Sequence, residues 1–173
     1  FVDDFKHKCL GDYVELTEGI HTRDNDKFLR LWYEIDYCKS ALKEFDKDKK
    51  WYGYNKGGLF RQWYGNNEYV VNWERNGSAI KSFKKASIGK CDHFFEEGIT
   101  FTFLTSSVNT FRFSPFGNLY DFAGPTMYPN TKENLYPLLS ILASKVCNHF
   151  LKVINPTINM PLGDVKKLPI LFG

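Results

Sequence analysis

Two short stretches carry side chains suited to gripping a polyanion and reading its bases. The first is WYGYNKGGLFRQWYGNNEYVVNW, Trp51 to Trp73, in which aromatic rings alternate with glycines, amides and the bases Lys56 and Arg61. A core segment would repeat its apolar residues at the helical or strand period, whereas these rings are interleaved with groups that bond to phosphates, sugars or base edges. Lys56, Arg61 and the more distant Arg112 suit phosphate oxygens, which set register without reading sequence. Gly57 and Gly58 would let the backbone approach a duplex closely. Trp63, Tyr64, Asn66 and Asn67 are the candidates for groove contact. The second stretch places Thr22, Arg23, Asn25 and Arg30 around one turn. Arginine matches guanine edges and asparagine matches adenine edges in the major groove. Competing structural roles are plain: Trp51, Trp63 and Trp73 as core anchors, Gly57-Gly58 and Gly65-Asn66 as turns, Arg61 as an ion-pair partner of Glu68.

Composition sets the frame. The chain has 173 residues, 43% hydrophobic, 17% aromatic and 25% charged, enough for one domain with its own core and unlike a disordered segment. A net charge of +3 permits a nucleic-acid partner without naming one, because footprints of that kind rest on clustered charge. Cys9, Cys38, Cys91 and Cys147 form no CxxC pair, and Cys91-Asp92-His93 has no second ligand pair at metal spacing, so no metal site is expected. No apolar run reaches the ~20 residues of a membrane span, and a reduced, cytoplasmic protein is the reading. Phe1 in place of Met suggests an excised piece of a longer polypeptide, with residues 1–18 a linker or lead-in strand.

Val14, Leu16 and Ile20 alternate with polar residues and predict a short strand, and Asp26 is a candidate cap ahead of Phe28. The lysine-rich span 39–50 reads as a solvated surface element. Tyr69 to Trp73 is a strand followed by a turn at Asn76-Gly77. Residues 98–103 alternate Ile99, Phe101 and Phe103 against Thr100 and Thr102; with residues 111–113 and 119–123 they predict an antiparallel meander. Asn134 opens a single long helix reaching residue 155, with Leu135, Leu138, Leu139, Leu142, Val146, Phe150 and Leu151 as its apolar stripe. Residues 156–173 follow as an extended tail. The predicted class is α+β: a mixed, mostly antiparallel sheet with one long C-terminal helix in a single domain, 1–173.

Catalytic signatures are missing. There is no GxSxG, GxxxxGK[ST], HExxH or GxGxxG, and none of the four histidines sits in a recognisable motif. His21 is a loop residue suited to binding or to simple exposure, and His149 reads as a helix-end or packing residue. Asn155-Pro156-Thr157 lacks the second proline and the aromatic of the amino-methyltransferase signature.

These residues carry a resemblance. Gly19-Ile20-His21-Thr22-Arg23-Asp24-Asn25-Asp26-Lys27-Phe28-Leu29-Arg30 resembles the "G-x-x-T-G-x-N-x-x-F-x-R" opening of recognition domains in TaqI-like and type IIG adenine methyltransferases, with Arg23 where glycine is usual. The Trp51 to Trp73 stretch is similar to "W-x-x-Y-x-K-G-G-x-x-R-K-W-Y-G-N-x-x-x-V-V-N-W" of the PglX family, the phage-resistance adenine methyltransferases of BREX systems. The likeness continues through Phe95 to Thr100, Arg112 to Pro115, Ala123 to Pro125, Leu142 to Lys145 and the tail from Asn155. It implies a TaqI-like specificity domain, the C-terminal target-recognition region of a bacterial or archaeal methyltransferase. Such a region would bind double-stranded DNA at the residues named above and work beside an upstream lobe that holds S-adenosylmethionine and the catalytic motif. A ring or amide could also fill the space left by a flipped adenine. The fragment alone would have no cofactor and no methyl transfer. Two other classes stay open: a carbohydrate-binding module using the aromatic, Asn and Gly surface, or a protein-interaction module using the helix stripe near Leu138 and Leu142.

Overall fold

The computed structural model describes residues 8–170 except positions 91, 105–107 and 109, so Cys91, the first residues of the lead-in and the last of the tail lie outside the described residues. In chain order the elements are β1 (Val14–Thr17), β2 (Ile20–His21), α1 (Asn25–Phe28), β3 (Leu29–Leu31), β4 (Trp51–Asn55), β5 (Tyr69–Asn72), α2 (Glu74–Lys81), β6 (Ser87–Ile88), β7 (Gly98–Thr100), β8 (Arg112–Ser114), β9 (Leu119–Tyr120), β10 (Thr126–Pro129), α3 (Leu135–Leu142), α4 (Lys145–Ile154) and α5 (Leu162–Lys166). The α+β class holds, and the strand pairs are antiparallel except β4 with β9.

One four-stranded sheet runs β1-β10-β7-β8 and a second β3-β5-β4-β9, with β2-β6 as a separate ribbon. The meander forms only in part. β7 and β8 pair antiparallel, Ile99 opposite Phe113, but β9 pairs with β4 in the other sheet, Tyr54 opposite Leu119, and β10 takes the other side of β7. A two-residue strand carries too little alternation to specify its sheet. Ile99 and Phe101 enter the first core, while the threonine face is also buried: Thr100 Oγ1 donates to the carbonyls of Gly124 and Pro125, 3.1 Å each.

That first core packs α3, α4 and α5 against the β1-β10-β7-β8 sheet through Leu16, Ile99, Phe111, Met127, Leu138, Leu142, Leu151 and Val165. The second core gathers Phe28, Tyr52, Tyr54, Val71, Trp73, Ile80, Phe94 and Tyr120. Asn76-Gly77 is the expected turn: Arg75, Asn76 and Gly77 all adopt left-handed backbone, and a Cβ on Gly77 would meet the Trp73 ring at 2.5 Å.

The long C-terminal helix is a correction. It breaks into α3 and α4 with a 77° bend, because Ser144 leaves the helical conformation and its Oγ accepts from Cys147 N at 3.1 Å. Serine offers the backbone this alternative bond and so starts a new helix rather than continuing the old one. The break changes the buried stripe, turning Val146 out at 64% exposure and bringing Cys147 in. The apolar residues Leu138 and Leu142 are fully buried, so they cannot serve an external partner. Asn134 ends a 3-10 turn and makes no side-chain cap, and the tail is not extended throughout, since α5 lies within it. No single helix among the described residues is long and apolar enough to cross a membrane.

Outside the cores, His93 links β1 to the turn before β7. Its Nε2 lies 3.1 Å from Glu15 Oε2, its Nδ1 lies 2.8 Å from Glu96 Oε2, and its ring stacks on Tyr128 at 4.5 Å. Burial opposes protonation, but the bonds to Glu96 and Glu15 outweigh it and hold the imidazole above its usual range. A raised folded value means that the His93 contribution to stability is complete below about pH 6.5 and is lost as pH rises through that folded value. In a urea-stability profile His93→Gln should therefore lower stability most below about pH 6.5 and progressively less as pH rises. In the same assay Leu142→Glu should cost about 3 kcal/mol or more by burying an unpaired carboxylate, whereas Val146→Glu should stay within ~0.5 kcal/mol. Equal costs would refute the broken helix.

Candidate nucleic-acid interface

The turn that carries Thr22, Arg23 and Asn25 leads into the start of α1. Asp24, not Asp26, is the cap: its Oδ1 accepts from Lys27 N at 3.1 Å. Thr22 is buried, so it does not face a partner; its hydroxyl donates to Asn25 Oδ1 at 2.7 Å and holds the exposed carboxamide in place. A carbonyl oxygen has a second lone pair, so Asn25 keeps both donor and acceptor capacity. Arg23 is exposed and left-handed, φ 57°, which is the conformation favoured by the glycine it replaces in the family pattern. One arm of Arg30 is committed to backbone, Nη1 donating to the carbonyls of Asp26 and Leu29.

Asn25, Arg30 and Lys56 meet. They line a groove of about 490 Å³ with Asp26, Leu31, Glu34 and Tyr69, along the edge strand β3. Lys56 is half-buried, its Nζ 5.1 Å from the centre of the Tyr69 ring. Burial lowers the Lys56 pKa, and the carboxylates of Asp121 and Asp26 counter part of that loss. Asp121 is itself held by Tyr54, whose hydroxyl donates to Oδ2 at 2.9 Å, and by Ala123 N at 2.8 Å; burial raises its pKa despite these bonds. Tyr69 was not among the sequence candidates. β5 is buried at both Val70 and Val71, so alternation along it does not mark the half-buried Tyr69 ring as a groove residue.

The segment between Lys56 and Glu68 is a braced loop. Gly57 is a correction: it is buried, φ 82°, and a Cβ there would lie 2.6 Å from the Ala123 carbonyl, so its small size serves internal packing rather than approach to a duplex. Asn66 is likewise turned inward, its Nδ2 donating to Leu59 O at 2.9 Å. Trp63 is pinned by its backbone, bonded to Phe111 O at 3.3 Å and Phe113 N at 2.8 Å, and Gln62 Nε2 donates to Ala143 O. The side chains point outward nonetheless: Leu59 is 77% exposed, Trp63 52% and Tyr64 59%, and Arg61 is exposed beside them. Arg61 Nη1 donates to Phe60 O, and among the described residues no ion pair joins it to Glu68. Tyr64 and Asn67 open onto a separate depression with Leu42, Phe116 and Asn118.

Arg112 is the largest correction. It is 1% exposed, and its Nη1 donates to Thr110 Oγ1 at 2.8 Å, Thr110 O at 3.0 Å and Thr102 Oγ1 at 3.2 Å. Burial pulls its pKa down to about 10, with Glu68 acting in the opposite direction. Alternation in β8 placed it opposite two rings, but the face assumed to meet solvent is covered. Arg23→Gly should alter stability by no more than about 1 kcal/mol, because the lost left-handed strain offsets the added chain entropy; Arg23→Val should cost more. Thermal unfolding of both variants checks the conformation independently of any ligand.

No known family profile matches the chain. It is 34% identical, over 93% of its length, to the adenine-specific methyltransferase PglX of Lacticaseibacillus casei (strain Zhang), and 32% identical, over 99%, to the adenine-specific methyltransferase BrxX of Escherichia coli O9:H4 (strain HS). In each case the match covers 14% of the relative's length. Nearly all of this chain is thus homologous to one segment of the PglX/BrxX adenine-specific methyltransferases, as the resemblance in its motifs implied.

Proposed function

We propose that this segment binds duplex DNA and supplies target recognition to a PglX/BrxX-type adenine-specific methyltransferase engaged in cytoplasmic phage defence. The convergence of Asn25, Arg30 and Lys56 on one groove carries the reading. Asn25, steadied by Thr22, has the paired donor and acceptor that an adenine edge requires. Lys56 supplies a point charge for a phosphate, and the free arm of Arg30 supplies a second donor group. Arg61, Trp63 and Tyr64, displayed on a braced loop, add a second region of contact at low ordering cost. Methyl transfer and S-adenosylmethionine binding belong to another part of the parent enzyme, since this chain carries neither a GxGxxG nor an Asn-Pro-Pro-aromatic motif.

Lys56→Ala should weaken binding to all duplexes alike and flatten the slope of log affinity against log salt by about 0.9. Asn25→Ala should instead relax preference at one base position in a selection from a random duplex pool. Unchanged site preference in Asn25→Ala would remove its base-reading role. Salt-insensitive binding of neutral glycans by the parent chain, with no affinity for duplexes, would replace the reading with a carbohydrate module.

A further inference from the structure

An exposed basic patch lies on the other flank of α1 from the groove. The run Lys81-Ser82-Phe83-Lys84-Lys85 has three lysines and no acid, and all three lysines are exposed. Tertiary packing adds to it. Phe83 meets Phe28 edge-on at 5.5 Å, and the exposed Lys27 places its Nζ 4.8 Å from the Phe83 ring and 5.2 Å from Phe28. Lys81 Nζ sits 5.3 Å from the Trp73 ring. β2 and β6 pair antiparallel with His21 opposite Ser87, which ties the segment that follows the lysines to the chain leading into α1. Among the described residues, none of Lys27, Lys81, Lys84 and Lys85 is in an ion pair. The nearby Asp24 carboxylate is engaged in capping α1, and Asp26 faces the groove.

We propose that Lys27, Lys81, Lys84 and Lys85 form a second phosphate-contacting surface, and that the same duplex is held on both flanks of α1. This rests on the DNA reading above and adds a docking geometry to it. Four exposed lysines outside any described ion pair repel one another, and a polyanion relieves that repulsion. α1 is a single turn whose exposed Asn25 lies on its groove side and whose Lys27 lies on its patch side, so a duplex laid across it would meet both flanks. Lys56 and Arg30 then face one phosphate strand, and the lysine patch faces the other. The Lys27 and Lys81 amines, resting on rings, are preorganised for those contacts.

The test is fluorescence anisotropy of the 173-residue chain on a random-sequence duplex pool over a salt series. The variants are Lys27→Gln/Lys81→Gln/Lys84→Gln/Lys85→Gln, Lys84→Gln/Lys85→Gln and Lys56→Ala. The quadruple variant should flatten the salt slope by roughly 3 to 4 and weaken binding at low salt by about tenfold or more, at about 0.9 per phosphate released. The double variant leaves the ring-packed lysines intact, so it tests the charge without disturbing the core, and should flatten the slope by about half as much. If the parent binds and Lys56→Ala flattens the slope while the double variant does not, the second surface is refuted and the DNA reading stands. If the parent shows no salt-dependent binding to any duplex, both fall.

Discussion

A hydrogen bond from the Tyr54 hydroxyl to the Asp121 carboxylate fixes where the rest of the surface can be. The same hydroxyl lies 3.0 Å from the Ile20 carbonyl, so one buried phenol joins β2, β4 and the chain leaving β9. Asp121 N also donates to Asn55 O at 2.8 Å, continuing the parallel β4–β9 pair past its end. Several consequences follow from this junction. It puts a carboxylate in the field of Lys56, brings the Ala123 carbonyl against Gly57, and sets Phe122 under the His21 ring at 3.9 Å. An unpaired Asp121 at that depth would be costly, which is why the contact is a constraint rather than an ornament of the fold.

Around that junction the polar residues divide between holding and reaching. Thr22, Gly57, Asn66 and Arg112 are all spent inside the molecule, on bonds or close packing that leave no room for movement. Asn25, Arg30 and Lys56 remain in the groove, and Arg61, Trp63 and Tyr64 remain on the loop. The inward set makes the outward set rigid. A loop that exposes Leu59, Phe60, Arg61, Trp63 and Tyr64 would ordinarily move through many conformations, but backbone bonds at Trp63 and the Asn66 bridge restrict this one.

Charge follows the same pattern. The net value of +3 says little, because acidic residues elsewhere cancel lysines that folding gathers together. Glu15 and Glu96 are drawn to His93, while Lys27 joins the segment of Lys81, Lys84 and Lys85 through a contact between two phenylalanines. The local field around α1 is therefore a property of packing.

The α+β class, β1, β5, the Asn76-Gly77 turn, the β7–β8 pair and the alternation of Ile99 and Phe101 were legible in the residues, because each depends on a local period or a turn preference. The family likeness was legible for a related reason: spaced motifs survive in order along the chain. The break at Ser144 rests on a local cap bond that the continuous apolar stripe obscured, whereas tertiary structure alone decided that β9 joins β4 and that Arg112 lies inside while Asn25 and Lys56 share a groove. Alternation tells which side of a strand a residue occupies, but whether that side meets water depends on segments distant in sequence. For that reason the amino-acid order named the chemistry available to this chain, and only long-range packing determined which of those groups a partner can touch.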